Sequence, residues 1–511
     1  MVSAQAIDEI CNPTKVIRRL YEARTSDGDF PSVVANHFST VFFRTGDPGA
    51  VKQLPPLDIH HPPEAYTSGT MVRFRAMIQD TSSSPEMYLA RLSDNRCGGW
   101  GMHTLQFERE LDSFDYSDLD EVTTMWAVSV PGESAWCSEE ISPPVFTSFP
   151  VHKAPRPHKF PISDAPHVGV QLKIYDSANL HLLKTTEVAT FVGILASEPL
   201  DSEAEISDEI SVLHVICYQV TSPDIRGGVD PQLRQSFINW VSSQACGGDT
   251  HVAEWLLLQL TSTVHTRVTP LLPPSLNISL FPQPPEPGML PALSHVLVEL
   301  LPQYIPIQLS LDVLNTKLFM PESKEEDLHA GYLQVPFGTT TLLTESGIQE
   351  GKLLEKGVMN IRAIQEVMNS QTLEYTFPFS KFTFNTDISF IVLSEGRKSA
   401  FFQSAVNVPL QAINTDNIYK QEILNTPFDR ESMTSYRSYI AACRAAVGQI
   451  QYIQEDFVRW RQQDASTTAD DLMHLMKVAR LYAASHLQKE VTTEIWEQAK
   501  ELETKRKVRL A

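Results

Sequence analysis

Fifteen histidines, six cysteines and scattered carboxylates are the side chains of this 511-residue sequence that could do chemistry. Cys11, Cys97, Cys137, Cys217, Cys246 and Cys443 lie far apart and form none of the C-x-x-C pairs that a zinc ribbon or a redox motif needs. They read as free, partly buried thiols in a reducing compartment. His60 and His61 sit among prolines, and His152, His158 and His167 fall in a proline-rich stretch. No pair has the H-E-x-x-H spacing of a helical zinc site, so these read as solvent-facing loop histidines and no metal is expected. No G-x-S-x-G elbow supports a serine hydrolase. TESG at 344–347 and SEGR at 394–397 supply glycines without phosphate-loop spacing and read as turns.

Charge narrows the partners. Lys and Arg total 41 against 62 Asp and Glu, a formal charge of −21. Such a surface is repelled by the phosphate backbone, which argues against non-specific nucleic-acid binding. No stretch approaches the ~20 apolar residues of a membrane span, and the opening residues lack a secretory signal. The expectation is an intracellular protein that meets other proteins.

The elements follow from periodicity. Val16, Leu20 and Ala23 mark one N-terminal helix, and Val33, Val34, Phe38 and Val41 a second. In 71–79 the apolar Val72, Phe74, Ala76 and Ile78 alternate with Arg73, Arg75 and Gln79, the pattern of a half-buried strand. Strands at Met87–Leu92, 168–174, 188–194 and 211–220 complete a β domain, with an OB-like barrel the natural candidate. A single-stranded DNA site on it would use Arg73, Arg75, Phe74 and Tyr88. Phe74 faces away from both arginines, so a structural or protein-docking barrel is favoured. Residues 138–167 read as a proline-rich insertion and 221–232 as a linker. Beyond it, SLNISLF, IQLSLDV, TTTLLT and FNTDISFIVLSE read as strands among helices, an α/β pattern. From Met433 the chain reads as helical, with a capping box at Thr468 and Asp471 and an apolar stripe of Leu472, Leu475, Met476, Ala479 and Ala483. A last helix from Thr492 ends in KRKVRL, readable as a helix end that complements the dipole or as a nuclear import signal.

Several segments together resemble the minichromosome maintenance (MCM)-binding protein family. They are VRFRAMIQD at 72–80 with PEMY at 85–88 and PGESAW at 131–136, and AEWLLLQLTSTVHTR at 253–267. TTLLTESGIQEGKL at 340–353, FNTDISFIVLSEGR at 384–397 and ADDLMHLMKVARLYA at 469–483 complete the set. The resemblance implies a nuclear, non-enzymatic partner of MCM helicase subunits. It would act in assembly or removal of the helicase from chromatin in S phase and support sister-chromatid cohesion. A more distant similarity links the carboxy-terminal half to the MCM ATPase core with its working residues lost. There, Gly248-Asp249 leads through Ala253 to Glu254 and Trp255 where a phosphate-loop lysine and hydroxyl would stand. Thr344 replaces a metal-binding aspartate beside a retained Glu345, Glu395 takes a sensor asparagine's place, and Asp470 stands near a nucleotide-sensing arginine. A carboxylate at the lysine position would repel phosphate, and an indole would block Mg²⁺.

The fold class implied is multidomain α+β, an OB-like β-barrel followed by an inactive AAA+-like α/β domain with a helical lid. The divisions are 1–66 (helical), 67–222 (β), 230–430 (α/β) and 431–511 (lid-like). No catalytic residue, cofactor or metal is expected, nor direct contact with nucleic acid or membrane. Two rival readings are a cryptic ATPase, motivated by Glu345, and a single-stranded DNA-binding barrel.

Overall fold

A computed structural model describes residues 10–24, 29–44, 50–92, 96–102, 115–137, 154–199, 209–220, 232–267, 272–325, 327–348, 350–419, 428–446 and 468–511. The 221–231 part of the expected linker, the 138–153 part of the insertion and His152 lie outside these residues.

Two helices, α1 (Pro13–Glu22) and α2 (Phe30–Ser39), each begin with a proline in the first turn, where a missing N–H costs no helical bond. The Asp29 carboxylate caps α2 by accepting from the Ser32 N–H at 3.3 Å. Among the described residues nine strands follow: β1 (Pro56–Leu57), β2 (Met71–Asp80), β3 (Glu86–Leu89), β4 (Arg91–Leu92), β5 (Arg96–Cys97), β6 (Leu119–Ser129), β7 (Gly169–Ile174), β8 (Val188–Pro199) and β9 (Glu209–Val220). One sheet runs β1-β2-β8-β9-β7-β6-β3, and a second pairing between β2 and β6 closes it into a ring of β2, β8, β9, β7 and β6. Ring neighbours are antiparallel except β7 and β9, which run parallel. Closure leaves the ring without free edges. Phe74, Ile78, Leu172, Phe191 and Leu213 fill one core. On the other side Val16, Ile17, Phe38 and Phe42 pack over Met71, Val192, Ile194 and Ile216.

The expectation of a half-buried β2 is corrected. Arg73 is 5% exposed and Gln79 fully buried. The Arg73 Nε–H donates to Leu54 O at 3.0 Å, and Gln79 exchanges bonds with Gln334 (3.3 and 2.8 Å). Strand β6, absent from the sequence reading, has mostly buried residues on both faces, so no polar alternation marks it.

The second half begins with α3 (Leu233–Ala245) and α4 (Thr250–Thr261). Then come β10 (Leu276–Ser279), α5 (Ala292–Leu300), β11 (Tyr304–Gln308), α6 (Leu311–Thr316), β12 (Glu322–Lys324), β13 (Asp327–His329) and β14 (Thr339–Thr344). It continues with α7 (Glu355–Ser370), β15 (Thr372–Phe377), β16 (Ser380–Asn385), β17 (Ile388–Leu393), β18 (Val406–Pro409), α8 (Arg430–Ala446), α9 (Ala469–Ser485) and α10 (Thr493–Leu510). A five-stranded, all-parallel sheet has the order β11-β14-β17-β10-β18. Leu342 and Ile391 face a core shared with α3–α5 and α8–α10, while Leu343, Phe390 and Val392 face α7. Cover on both faces is what a parallel sheet requires.

Two segments differ from expectation. Within IQLSLDV the strand stops at Gln308, because the Ser310 hydroxyl caps α6 by accepting from the Val313 N–H at 3.1 Å. FNTDISFIVLSE is not one strand: β16 ends at Asn385, and β17 begins at Ile388 in a different sheet.

The halves meet through polar contacts. Lys159, 1% exposed, donates to Asp80 at 2.8 Å and pairs with Asp327 at 2.5 Å. PGESAW closes the carboxyl end of α5: the Ser134 hydroxyl donates to Leu301 O (2.6 Å) and the Trp136 indole to Val298 O (3.1 Å). Gly132 has φ +68°, and a Cβ there would meet Ile305 at 2.5 Å and Tyr304 O at 2.8 Å. Replacing one partner of a buried ion pair leaves an uncompensated charge. Lys159→Met is therefore expected to destabilise the protein by about 3–5 kcal/mol, measured by urea unfolding; an unchanged midpoint would refute this account of the joint.

Candidate functional site: the carboxyl end of the parallel sheet

In open parallel sheets ligands bind beyond the carboxyl ends of the strands. Thr344 and Glu345 stand at that end of β14, and Glu395 follows β17 next to it. These three of the eight proposed residues are brought together. Glu345 is 9% exposed, and its carboxylate accepts bonds from the Ser399 hydroxyl (2.5 Å) and the Ala400 N–H (3.0 Å). The Ser399 oxygen in turn accepts from the Phe402 N–H at 2.9 Å, so the loop after β17 is folded onto Glu345. Glu395 accepts from the Gln283 amide at 2.6 Å. Behind them the Ser394 hydroxyl donates to Asn277 (3.0 Å), whose amide donates to Asn407 (3.0 Å), a polar ladder across β17, β10 and β18.

The segment that joins β10 to α5 is the strand-to-helix turn of this sheet end, and sequence reasoning did not single it out. It carries Pro282, Pro284, Pro285, Pro287 and Pro291, and no lysine. Proline has no N–H to offer a phosphate. The Leu280 and Phe281 N–H groups are already bonded to Gly396 O (3.0 Å) and Ser394 O (3.0 Å).

Gly248, Asp249, Glu254 and Trp255 lie elsewhere. The 248–260 segment precedes β10 and comprises the end of the link from α3 and nearly all of α4, a helix-to-helix connection, so it does not occupy the strand-to-helix turn that a phosphate loop needs. Gly248 takes φ +89° in that link. Asp249 caps α4, accepting from the N–H groups of His251 (3.0 Å) and Val252 (3.3 Å). Its carboxylate also accepts from Gln411 N–H (2.8 Å) and from the Arg509 guanidinium (2.6 and 3.1 Å). One buried carboxylate thus ties α4, the chain after β18 and α10 together. Glu254 pairs with Arg234 at 2.5 Å, and Trp255 is a core residue, 3% exposed. Asp470 is exposed in the first turn of α9.

The DNA-site residues do not form an open basic face. Arg73 is buried, and Arg75 pairs with Glu133 at 2.7 Å. Tyr88 packs edge-on against Tyr175 at 4.9 Å. The histidine expectation is also corrected: His61 and His167 are each 8% exposed, and His158 bonds Asp327 at 2.7 Å. Among the described residues, no cluster of three metal-ligating side chains occurs. The KRKVRL tail belongs to α10, with Arg506 on Glu503 (2.5 Å) and Arg509 on Asp249 (2.6 Å).

The molecule is a mixed α+β protein with several sheets, a closed barrel joined to a parallel α/β body. The family model described as "Mini-chromosome maintenance replisome factor" matches residues 43–151 and 228–510, and the chain belongs to that family. It is 27% identical to the mini-chromosome maintenance complex-binding protein of Arabidopsis thaliana, over 99% of both chains. It is 22% identical to that of Gallus gallus over 98% of both. With the Homo sapiens protein the match is 30% identical over 52% of this chain and 42% of the human one.

Two outcomes test this region. Asp249→Ala removes the cap and strands the Arg509 charge, an expected loss of about 3–5 kcal/mol in chemical unfolding. Burial and the nearby Arg509 charge bring His251 down to about 4, and burial with Arg234 does the same for His486. The unfolded chain, with histidines at 6.5, takes up protons that the folded chain refuses. Stability should therefore fall as pH drops from 6.5 toward 4, and the double change His251→Gln with His486→Gln should flatten that slope in urea titrations.

Proposed function

We propose that this protein is a non-catalytic binding partner of the MCM complex, built from an OB-like barrel and an inactive AAA+-like body. The observation that carries the binding is the match to MCM complex-binding proteins along nearly the whole chain. Two topologies support the domain reading. The ring connects its strands, numbered along the chain, as 1-2-3-5-4-1, the OB arrangement. The parallel sheet has the order 5-1-4-3-2 with helices on both faces and a helical group after the last strand, as in an AAA+ core.

Inactivity is supported by the proline-rich turn after β10, and by Glu345 and Glu395 being bonded to the protein's own groups. Phosphoryl transfer needs a lysine and amide cradle together with a carboxylate-held metal. An ATPase-shaped body without them could take a subunit's place in the helicase ring while leaving the shared interface unable to hydrolyse ATP. Such mimicry favours an open or partial ring, which fits roles in loading or unloading the helicase in S phase and, downstream, in sister-chromatid cohesion. The reading places the protein in the nucleus, without direct nucleic-acid contact.

Affinity capture of the full chain from nuclear extract should recover MCM subunits, and their absence would overturn the binding reading. Isothermal titration with ATP and Mg²⁺ should give no heat of binding; a micromolar constant would overturn inactivity. A low-salt gel shift with single-stranded DNA should show no retardation, since charge-driven binding is strongest there.

A further inference from the structure

The hairpin of β15 and β16 carries an unusual edge. β16 ends the four-stranded sheet β13-β12-β15-β16, and all six of its residues are exposed. In the register Phe382 stands opposite Tyr375 and Phe384 opposite Leu373, so both phenylalanines lie on the face that buries Leu373 and Tyr375 against α7. Their rings carry that core outward: Tyr375 and Phe384 are 4.4 Å apart, and Phe377 and Phe382 5.6 Å. Phe379 at the turn is 101% exposed and Phe382 53%. Three exposed phenylalanines within 379–384 make an aromatic shelf, and aromatic residues are enriched where proteins meet.

The backbone of this strand is equally open. Thr386 N–H donates to Gln371 O at 2.9 Å, which fixes the alternation of bonded pairs along the hairpin. The N–H groups of Lys381, Thr383 and Asn385 therefore face away from β15. Edge strands are usually guarded by proline, a bulge or charge. β16 has no proline, its register with β15 is unbroken, and its one charge, Lys381, is held by Glu374 at 2.6 Å.

We propose that this hairpin docks the MCM complex by accepting one of its strands onto β16, an inference that rests on the binding reading above. Outward N–H and C=O groups at strand spacing are satisfied by an extended segment. That segment carries apolar side chains on the face shared with Phe382 and Phe384. Its flanks are neutral or basic, because they approach a chain of net charge −21. The same charge disfavours a second copy, since two such chains repel edge to edge.

The test uses the full chain and purified MCM complex. One variant combines Phe379→Ala, Phe382→Ala and Phe384→Ala; the other is Thr383→Pro, which removes one outward N–H and leaves the aromatics in place. Circular dichroism and Tm establish that both fold. Each variant is expected to bind at least about tenfold more weakly than the unaltered protein. Undiminished binding of the triple variant would overturn the hairpin's role while leaving the binding reading intact. Weakening by the triple variant but not by Thr383→Pro would overturn strand addition. Failure of the unaltered protein to bind would remove the binding reading and this inference together. A dimer in light scattering that the triple variant abolishes would overturn the proposal in favour of self-association.

Discussion

The ammonium group of Lys159 governs how the two halves of the molecule are joined. It lies out of water between Asp80, at the end of a barrel strand, and Asp327, on a short hairpin of the α/β half. A cation in that position is tolerable only while both carboxylates approach it from their own domains, so the contact has one workable geometry. The Gln79 and Gln334 amides and the PGESAW segment on α5 add further bonds across the same joint. The barrel and the body that carries the parallel sheet are therefore tied together at several points.

In open α/β sheets a ligand sits in the crevice beyond the carboxyl ends of the strands and so lies between their loops. Here the bridging is internal: Ser399 and Ala400 reach Glu345, and Gln283 reaches Glu395. Those bonds tie the loops at this sheet end to the protein's own carboxylates.

Much of this was legible in the sequence wherever one face of an element meets water. The Thr468–Asp471 capping box, the stripe through Leu475 and Ala479, and the strands expected at 71–79 and in TTTLLT stand where the sequence pattern put them. Reading failed where the deciding partner is remote. Arg73 and Gln79 look like a solvent face until Gln334 is brought to Gln79 from 255 residues away. The Gly248-Asp249 pair resembles a phosphate loop in composition, but its position before β10 is a matter of topology, which local pattern does not carry. β16 merged with β17 because no glycine or proline separates them; only Thr386 and Asp387 turn the chain from one sheet to the other.

Asp249 has one further consequence, for the order of folding. Its partner Arg509 lies 260 residues further on. Until α10 has been made and docked, the start of α4 holds a carboxylate without its counter-charge, and the core beneath Trp255, Ala499 and Leu502 stays open. During synthesis the barrel can close while the α/β half waits, exposing apolar helix faces for as long as translation of the remaining chain takes. The protein is thus born with a delay built into its second half, and chaperones that shield exposed apolar surface would be drawn there rather than to the barrel.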